Sequence, residues 1–148
     1  MMARYRSILA VILAFVATFV VSCSSPAPTQ PKTYTPLQLQ QIERNVSGIA
    51  PLRDRFSELS TAIQNRDWNE VESFIHGPMA ELRFKMNNIA RGLLPDAQSA
   101  ALDKSRSFFE RLVTIDQAAQ DGDYDLAIRN YAEAVKDIDA FLALAPKA

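Results

Sequence analysis

The stretch WNEVESFIHGPMAELRFKMNNIARGLLP, residues 68–95, decides the fold. Its apolar side chains recur at intervals of three and four residues, the spacing that places them on one face of an α-helix. The stripe consists of Trp68, Val71, Ile75, Met79, Leu82, Met86, Ile89 and Leu93. Pro78 lacks an N–H and crowds the preceding turn, so Gly77-Pro78 predicts a kink within this helix. Gly92 and Pro95 predict its end.

A second stripe with helical spacing precedes this stretch. It begins at Thr35-Pro36, an N-cap residue followed by proline at the first helical position. Gly48 and Pro51 interrupt it without changing its apolar phase, which predicts a kink or short break at residues 47–51 and no change of direction. Its expected core residues are Leu39, Ile42, Val46, Ile49, Phe56, Leu59 and Ile63.

Two further stripes follow, over residues 96–120 and 124–145. Their expected core residues are Leu102, Phe108, Phe109, Leu112, Ile115 and Ala119 in one, and Tyr124, Ile128, Tyr131, Val135, Ile138, Leu142 and Ala145 in the other. The connections between stripes are only a few residues long, so consecutive helices must lie antiparallel. The sequence therefore predicts an all-α protein, an up-down-up-down four-helix bundle over residues 36–148.

Residues 1–22 have the layout of a secretory signal peptide. Arg4 and Arg6 precede a nearly unbroken apolar run over residues 8–21, and the small Ser22 follows it. An uncleaved transmembrane helix is the alternative, but a span needs about 20 apolar residues. The run is shorter than that, so we expect cleavage and export.

Cys23 is expected to carry a lipid. Val20-Val21-Ser22-Cys23 fits the bacterial lipobox, in which the thiol takes a diacylglyceryl group before a peptidase cuts just ahead of it. An added N-acyl chain makes such an anchor stable. Cys23 is the single cysteine of the chain, so no intramolecular disulfide is possible, and a chance cysteine beside an ordinary cleavage site is the alternative. Residues 23–35, rich in Pro, Ser and Thr, are predicted to form a lipid-anchored flexible tether.

The bundle carries no motif for catalysis. It lacks a serine-nucleophile motif, a phosphate-binding glycine loop and any cysteine, so we expect a non-enzymatic protein with no cofactor of its own. His76, the single histidine, could bind adventitious zinc together with Glu72 one turn earlier, although zinc sites usually have three or four ligands. An ordinary exposed or capping histidine is the alternative. Ser73 replaces the glutamate of the Glu-x-x-His signature of di-iron bundles.

An acidic turn lies between the third and fourth stripes. Asp121, Asp123 and Asp125 around Gly122 have some of the character of a calcium loop, but such a loop ends in a glutamate at its twelfth position. Ala132 occupies that position here. The pattern therefore favours an acidic turn that starts the fourth helix.

Charge is unevenly distributed along the chain. Without Arg4 and Arg6 there remain 14 Lys and Arg against 17 Asp and Glu, with a mildly basic middle and an acidic end. Such asymmetry suits docking on a charged partner. We expect Arg83, Lys85 and Arg91 to face that partner, with plain solvated helix faces as the alternative. An acidic, exported chain is not expected to bind nucleic acid.

An ordered set of these features resembles the cyanobacterial PsbQ-like (CyanoQ) family over nearly the whole chain. The set comprises the lipobox, the tether, Trp68, Ile75-His76-Gly77-Pro78, Glu81-Leu82-Arg83, Leu93-Leu94-Pro95 and Asp139-Ala140-Phe141-Leu142. The resemblance implies a non-enzymatic extrinsic subunit, lipid-anchored to the lumenal side of the thylakoid membrane. Its implied partners are the photosystem II core and other extrinsic lumenal subunits. It also implies stabilisation of the oxygen-evolving complex, support of its calcium and chloride requirement, and a role in assembly; calcium binding is implied only at the family level.

Two alternatives from other classes stay open. Residues 122–134 resemble one tetratricopeptide helix pair, a peptide-binding module. The nearest echo begins at Asp67-Trp68, much further upstream than the period of about 34 residues that such repeats require. We interpret both segments as equivalent hairpin starts within the bundle. The other alternative is an exported metal-binding lipoprotein that depends on His76.

Overall fold

The computed structural model describes residues 33–146, which contain seven α-helices and no β-strand. The helices are α1 Pro36–Ser47, α2 Ala50–Asp54, α3 Phe56–Gln64, α4 Trp68–His76, α5 Pro78–Gly92, α6 Pro95–Asp121 and α7 Tyr124–Ala143. Within this range no helix combines the length and the apolar character needed to cross a bilayer. The predicted signal peptide, Cys23 and the tether as far as residue 32 lie outside the described residues.

The seven helices form the four segments that the sequence predicts. Helices α1 to α3 make the first segment, α4 and α5 the second, α6 the third and α7 the fourth. The expected break lies between Ser47 and Ala50, and the expected kink lies at Gly77. A further break at Arg55 was not predicted. There the Ser57 hydroxyl donates to the Asp54 carbonyl at 3.1 Å, a local bond that competes with the helical ladder.

Side-chain caps fix where the helices begin. Thr35 accepts from the Gln38 backbone N–H at 3.2 Å, and the Gln38 side chain accepts from the Thr35 N–H at 2.8 Å, which completes a capping box. The Asp67 side chain caps α4 by accepting from the Glu70 N–H, and the Asp123 side chain caps α7 by accepting from the Leu126 N–H. The interpretation of Asp67 and Asp123 as equivalent hairpin starts is therefore confirmed. Gly122, with φ of 70°, ends α6 in the left-handed conformation that glycine adopts readily.

The packing order makes consecutive segments antiparallel. Helix α1 packs on α5 while α3 packs on α4, so the first and second segments run in opposite directions. Across the second and third segments His76 contacts Asp116 and Arg83 contacts Phe109, an order that also requires opposite directions. Helix α7 lies along α6 and closes the bundle against α3. These contacts give an up-down-up-down bundle.

Aromatic rings fill the centre of the bundle. Phe56 meets Phe74 with ring centroids 5.9 Å apart and meets Phe108 at 5.7 Å, while Phe108 meets Phe109 at 4.9 Å. The predicted stripe of the second segment is largely correct, since Val71, Met79, Leu82, Met86, Ile89 and Leu93 are buried and Trp68 and Ile75 pack at its margin. Burying Phe, Leu and Ile side chains completely contributes about 1.5–3 kcal/mol each.

The core-facing side of α7 differs from the prediction. Ile138 is buried as expected, but the other buried apolar residues are Ala127, Ala134 and Phe141. The remaining predicted members, Tyr124, Ile128, Tyr131, Val135, Leu142 and Ala145, are only partly buried. Small alanines let α7 approach α6 closely, which turns the larger side chains toward the margin of the interface. Leu102 was also placed wrongly, because Ala101 and Ser105 face inward in its place.

Candidate functional site

A surface groove runs between the second segment and α6. Three adjoining cavities of about 250, 460 and 280 Å³ lie along it, and Arg83 and Phe109 line all three. We call this feature the Arg83 groove and define it by Ile75, Met79, Arg83, Leu102, Arg106, Phe109 and Val113. The buried Phe109 of α6 lies at its floor.

Arg83 lies at the centre of this groove and is held there by an aromatic ring. Its guanidinium carbon lies 4.0 Å from the centroid of Phe109, which is within the range of a cation–π contact. None of the ion pairs among residues 33–146 includes Arg83. Its N–H donors are therefore positioned and still available to an external acceptor.

Two exposed apolar side chains lie along the groove. Among residues 33–146 the exposed large hydrophobic side chains are Phe84 at 68%, Val113 at 65%, Leu102 at 39% and Leu37 at 71%. Leu102 and Val113 line the groove, and Phe84 follows Arg83 on α5. Phe84 lines none of the three cavities, and Leu37 lies elsewhere, on α1. Clustering of this kind is typical of interaction surfaces, whereas isolated exposed hydrophobics are ordinary.

His76 closes one end of the groove. Its Nε2 lies 3.0 Å from Oδ1 of Asp116 on α6, and the Gln120 amide donates to the other carboxylate oxygen at 3.4 Å. Among residues 33–146 no three His, Cys, Asp or Glu side chains lie close enough together to hold a metal ion. The structure thus joins His76 to an aspartate that the sequence did not connect with it. Zinc binding by His76 and Glu72 stays a prediction.

The three predicted docking residues do not share one surface. Arg83 lies in the groove, where the structure adds Arg106 beside it. Lys85 is 27% exposed, pairs with Glu81 at 3.1 Å and lies on the opposite side of α5, against the first segment at Gly48. Arg91 is exposed in the last turn of α5. The Phe109 contact and Arg106 were missed because both depend on how α6 packs.

Part of the acidic end of the chain serves the bundle itself. Asp139 accepts two hydrogen bonds from the Arg53 guanidinium, at 2.8 and 3.0 Å. These bonds hold the pKa of Asp139 below its usual value and raise the pKa of Arg53. Asp137 is buried and accepts from Ser107 and Lys104. These carboxylates link helices, so they are not available as a free acidic docking face.

The acidic turn is a helix start, as the sequence favours. Asp123 accepts from the Leu126 N–H at 2.9 Å as the N-cap of α7, and Asp125 lies in its first turn. Asp121 accepts from the Gln117 amide at 3.1 Å. Asp123 and Asp125 suit carboxylates without a cation, because helix N-termini favour negative charge, whereas Asp121 is the last residue of α6.

Comparison with known proteins extends to nearly the full length of the chain. A family model described as "PsbQ: Oxygen evolving enhancer protein 3" matches residues 3–146. The chain belongs to the PsbQ family. It is also 39% identical over 148 residues to CyanoQ of Synechocystis, covering 99% of this chain and 99% of that protein. The resemblance found in the sequence is therefore confirmed.

Family membership supports an extrinsic subunit of the oxygen-evolving complex. The helices of the described residues pack around one shared core, as in a bundle. The tetratricopeptide alternative needs stacked helix pairs of similar length. Here α6 and α7 instead complete a bundle with the first two segments.

Proposed function

We propose that the chain is a non-enzymatic extrinsic subunit of photosystem II on the lumenal side of the thylakoid membrane. There it stabilises the oxygen-evolving complex, supports its calcium and chloride requirement and takes part in its assembly. The observation that carries this proposal is the family match along residues 3–146 together with the full-length similarity to CyanoQ.

The bundle is suited to act as a rigid cap. Four antiparallel segments packed on a single aromatic core resist deformation, so the surface that they present keeps its shape on binding. A rigid cap excludes water from the surface that it covers and slows the escape of weakly held ions. Ion retention then follows from coverage and requires no metal ligand from the bundle.

Lipidation of Cys23 would restrict the bundle to the membrane surface. The predicted diacylglycerol and N-acyl chains give the several hydrophobic signals that stable anchoring needs. Tethering raises the effective concentration of a docking domain near a membrane complex, so a weak interface on the bundle is sufficient. Mass spectrometry of the mature N-terminus tests this. An unmodified chain that begins after residue 23 would contradict it.

The proposed function is tested in the native host with a C-terminally affinity-tagged chain. Thylakoids are solubilised at low salt, and the captured proteins are identified by mass spectrometry. We expect photosystem II core subunits and other extrinsic subunits among them, released as the salt concentration rises. Deletion of the chain should lower oxygen evolution chiefly when calcium or chloride is scarce. Capture of no photosystem II subunit would overturn the proposal.

A further inference from the structure

We infer that the Arg83 groove is the surface by which the bundle recognises its protein partner, and that its occupant is an acidic segment with a carboxylate beside an apolar side chain. This inference rests on the proposed function, because it names the part of the bundle that makes the contact. The groove combines a positioned arginine, an aromatic floor and exposed apolar walls along one face.

Arg83 is the reason for expecting a carboxylate on the occupant of the groove. Contact with the Phe109 ring, 4.0 Å from the guanidinium carbon to the centroid, restricts the position of the guanidinium, and no ion pair within residues 33–146 uses it. A planar guanidinium binds a carboxylate through two parallel hydrogen bonds, and less entropy is lost when it is already held in place. An apolar side chain alone would leave these donors unsatisfied upon burial, at a substantial free-energy cost.

The apolar residues that line the groove are the reason for expecting an apolar side chain on the occupant. Val113 borders two of the cavities and Leu102 the third, and Phe84 lies one position from Arg83. The largest cavity, about 460 Å³, lies between Arg83, Arg106 and Val113. An apolar side chain entering there would bury the exposed surface of Val113. Arginine and aromatic anchors of this kind dominate the free energy of most protein interfaces.

The remaining charges of the groove also favour an acidic occupant. Arg106 pairs with Asp103 at 3.5 Å, but both side chains are largely exposed, so this pair is weak and can be exchanged. Asp116 at the end of the groove is already in contact with His76. Glu110 is the remaining acid that lines the cavities, against Arg83 and Arg106. The centre of the groove is thus basic on a chain with a formal net charge of −1.

A protein segment suits this surface better than a lipid headgroup. Recognition of anionic membranes uses clusters of about four to eight Lys and Arg. The cavities of the groove are lined by only two arginines, together with Glu110 and Asp116. A concave groove also fits a side chain more closely than it fits a flat bilayer surface.

The first experiment changes the charge of Arg83 in the full-length chain, expressed in the native host in place of the normal copy. Arg83→Gln and Arg83→Glu are compared with Arg66→Gln and Arg66→Glu. Arg66 is a matched control, since its guanidinium stacks on Tyr124 at 5.2 Å outside the groove. We expect binding to isolated photosystem II to weaken roughly thirtyfold for Arg83→Gln, the loss of a hot-spot arginine, and further for Arg83→Glu. The Arg66 variants should bind like the unaltered chain.

A second pair of variants tests the apolar wall. Val113→Glu should weaken binding, whereas Leu37→Glu, an equally exposed position on α1, should not. Circular dichroism and thermal unfolding confirm that each variant is folded. A photo-crosslinking residue at position 113 should label a partner peptide that contains Asp or Glu, and the same residue at position 37 should not.

The outcomes separate this inference from the proposed function. If the unaltered chain fails to bind photosystem II, the proposed function itself fails. If it binds and the Arg83 and Val113 variants bind equally well, the function stands and the groove assignment is wrong. The assignment is also wrong if Arg83→Glu abolishes binding to protein-free vesicles of anionic lipid while binding to photosystem II is unchanged.

Discussion

The buried carboxylate of Asp137 should be a measurable source of stability. It accepts from the Ser107 hydroxyl at 2.6 Å and from Lys104 at 3.0 Å, which joins α7 to α6. Replacing it with alanine removes both bonds between α6 and α7. A hydrogen bond to a charged group contributes about 1.5–3 kcal/mol, whereas an exposed ion pair contributes about 1 kcal/mol or less.

The hydrogen bond from Ser107 should therefore account for most of the stability lost when Asp137 is replaced. The Lys104 side chain is 46% exposed and can regain water when its partner is lost, whereas the Asp137 side chain is only 11% exposed. Because alanine has a higher helix propensity than aspartate, the substitution also raises the free energy of unfolding by up to about 0.7 kcal/mol, which offsets part of the loss. We expect Asp137→Ala to lower the free energy of unfolding by about 2 kcal/mol, and Tm by roughly 8 °C in a domain of this size.

A double-mutant cycle isolates the bond. Urea unfolding of Ser107→Ala, Asp137→Ala and the double variant should give a coupling energy of about 1 kcal/mol or more between the two positions. Asp103→Ala is the matched control, since Asp103 pairs with Arg106 on the surface at 3.5 Å, and it should change stability by no more than about 0.5 kcal/mol. Additive effects, or an Asp137→Ala variant as stable as the control, would refute the reasoning.

Three further predictions concern other parts of the bundle. Hydrogen bonds from Arg53 hold the pKa of Asp139 below its usual value of 3.8, so their stabilising contribution is present above that pH and is lost as the pH falls through the lowered pKa. Acid unfolding of Arg53→Gln should lack this component, which is at most about 1 kcal/mol because the pair is exposed. Gly122→Ala should lower stability by about 1–2 kcal/mol in urea unfolding, since φ is 70° and the added Cβ meets nothing closer than 3.8 Å; an unchanged midpoint would contradict this. If His76 and Glu72 form a weak zinc site, calorimetric titration should show binding that His76→Ala abolishes, and equal binding by both proteins would exclude it.

Local chemistry explains why the helices could be predicted from the sequence. Caps, prolines and glycines act within a few residues, so Thr35, Asp67, Pro78 and Gly122 mark boundaries that the structure contains. The break at Arg55 was not predicted, and beside it the Ser57 hydroxyl donates to the Asp54 carbonyl. No strong breaker residue signals that bond in the sequence.

Tertiary packing explains what the sequence could not show. On α7 the apolar pattern favours the tyrosines, yet Ala127 and Ala134 are buried because α6 comes close. The sequence suggests that Asp137 is a surface charge, whereas in the structure Ser107 and Lys104 of α6 donate hydrogen bonds to it. These outcomes depend on a neighbouring helix, which periodicity along one segment does not describe.

The candidate site was predicted only in part for the same reason. Arg83 stood out as a basic residue on the second helix, but its contact with Phe109 joins residues that are distant in the sequence. The same is true of His76 and Asp116, which are 40 positions apart. Lys85 and Arg83 look alike in the sequence but lie on opposite sides of α5, since Lys85 lies against Gly48 of the first segment and Arg83 contacts Phe109 of α6.

Rebinding to photosystem II tests the assigned role most directly. Photosystem II from host cells that lack the chain is salt-washed and mixed with the purified lipidated chain, and oxygen evolution is measured at limiting calcium and chloride. We expect saturable binding at low salt and a rise in oxygen evolution that follows occupancy. Saturable binding with no change in oxygen evolution, or no binding at all, would contradict the assigned role.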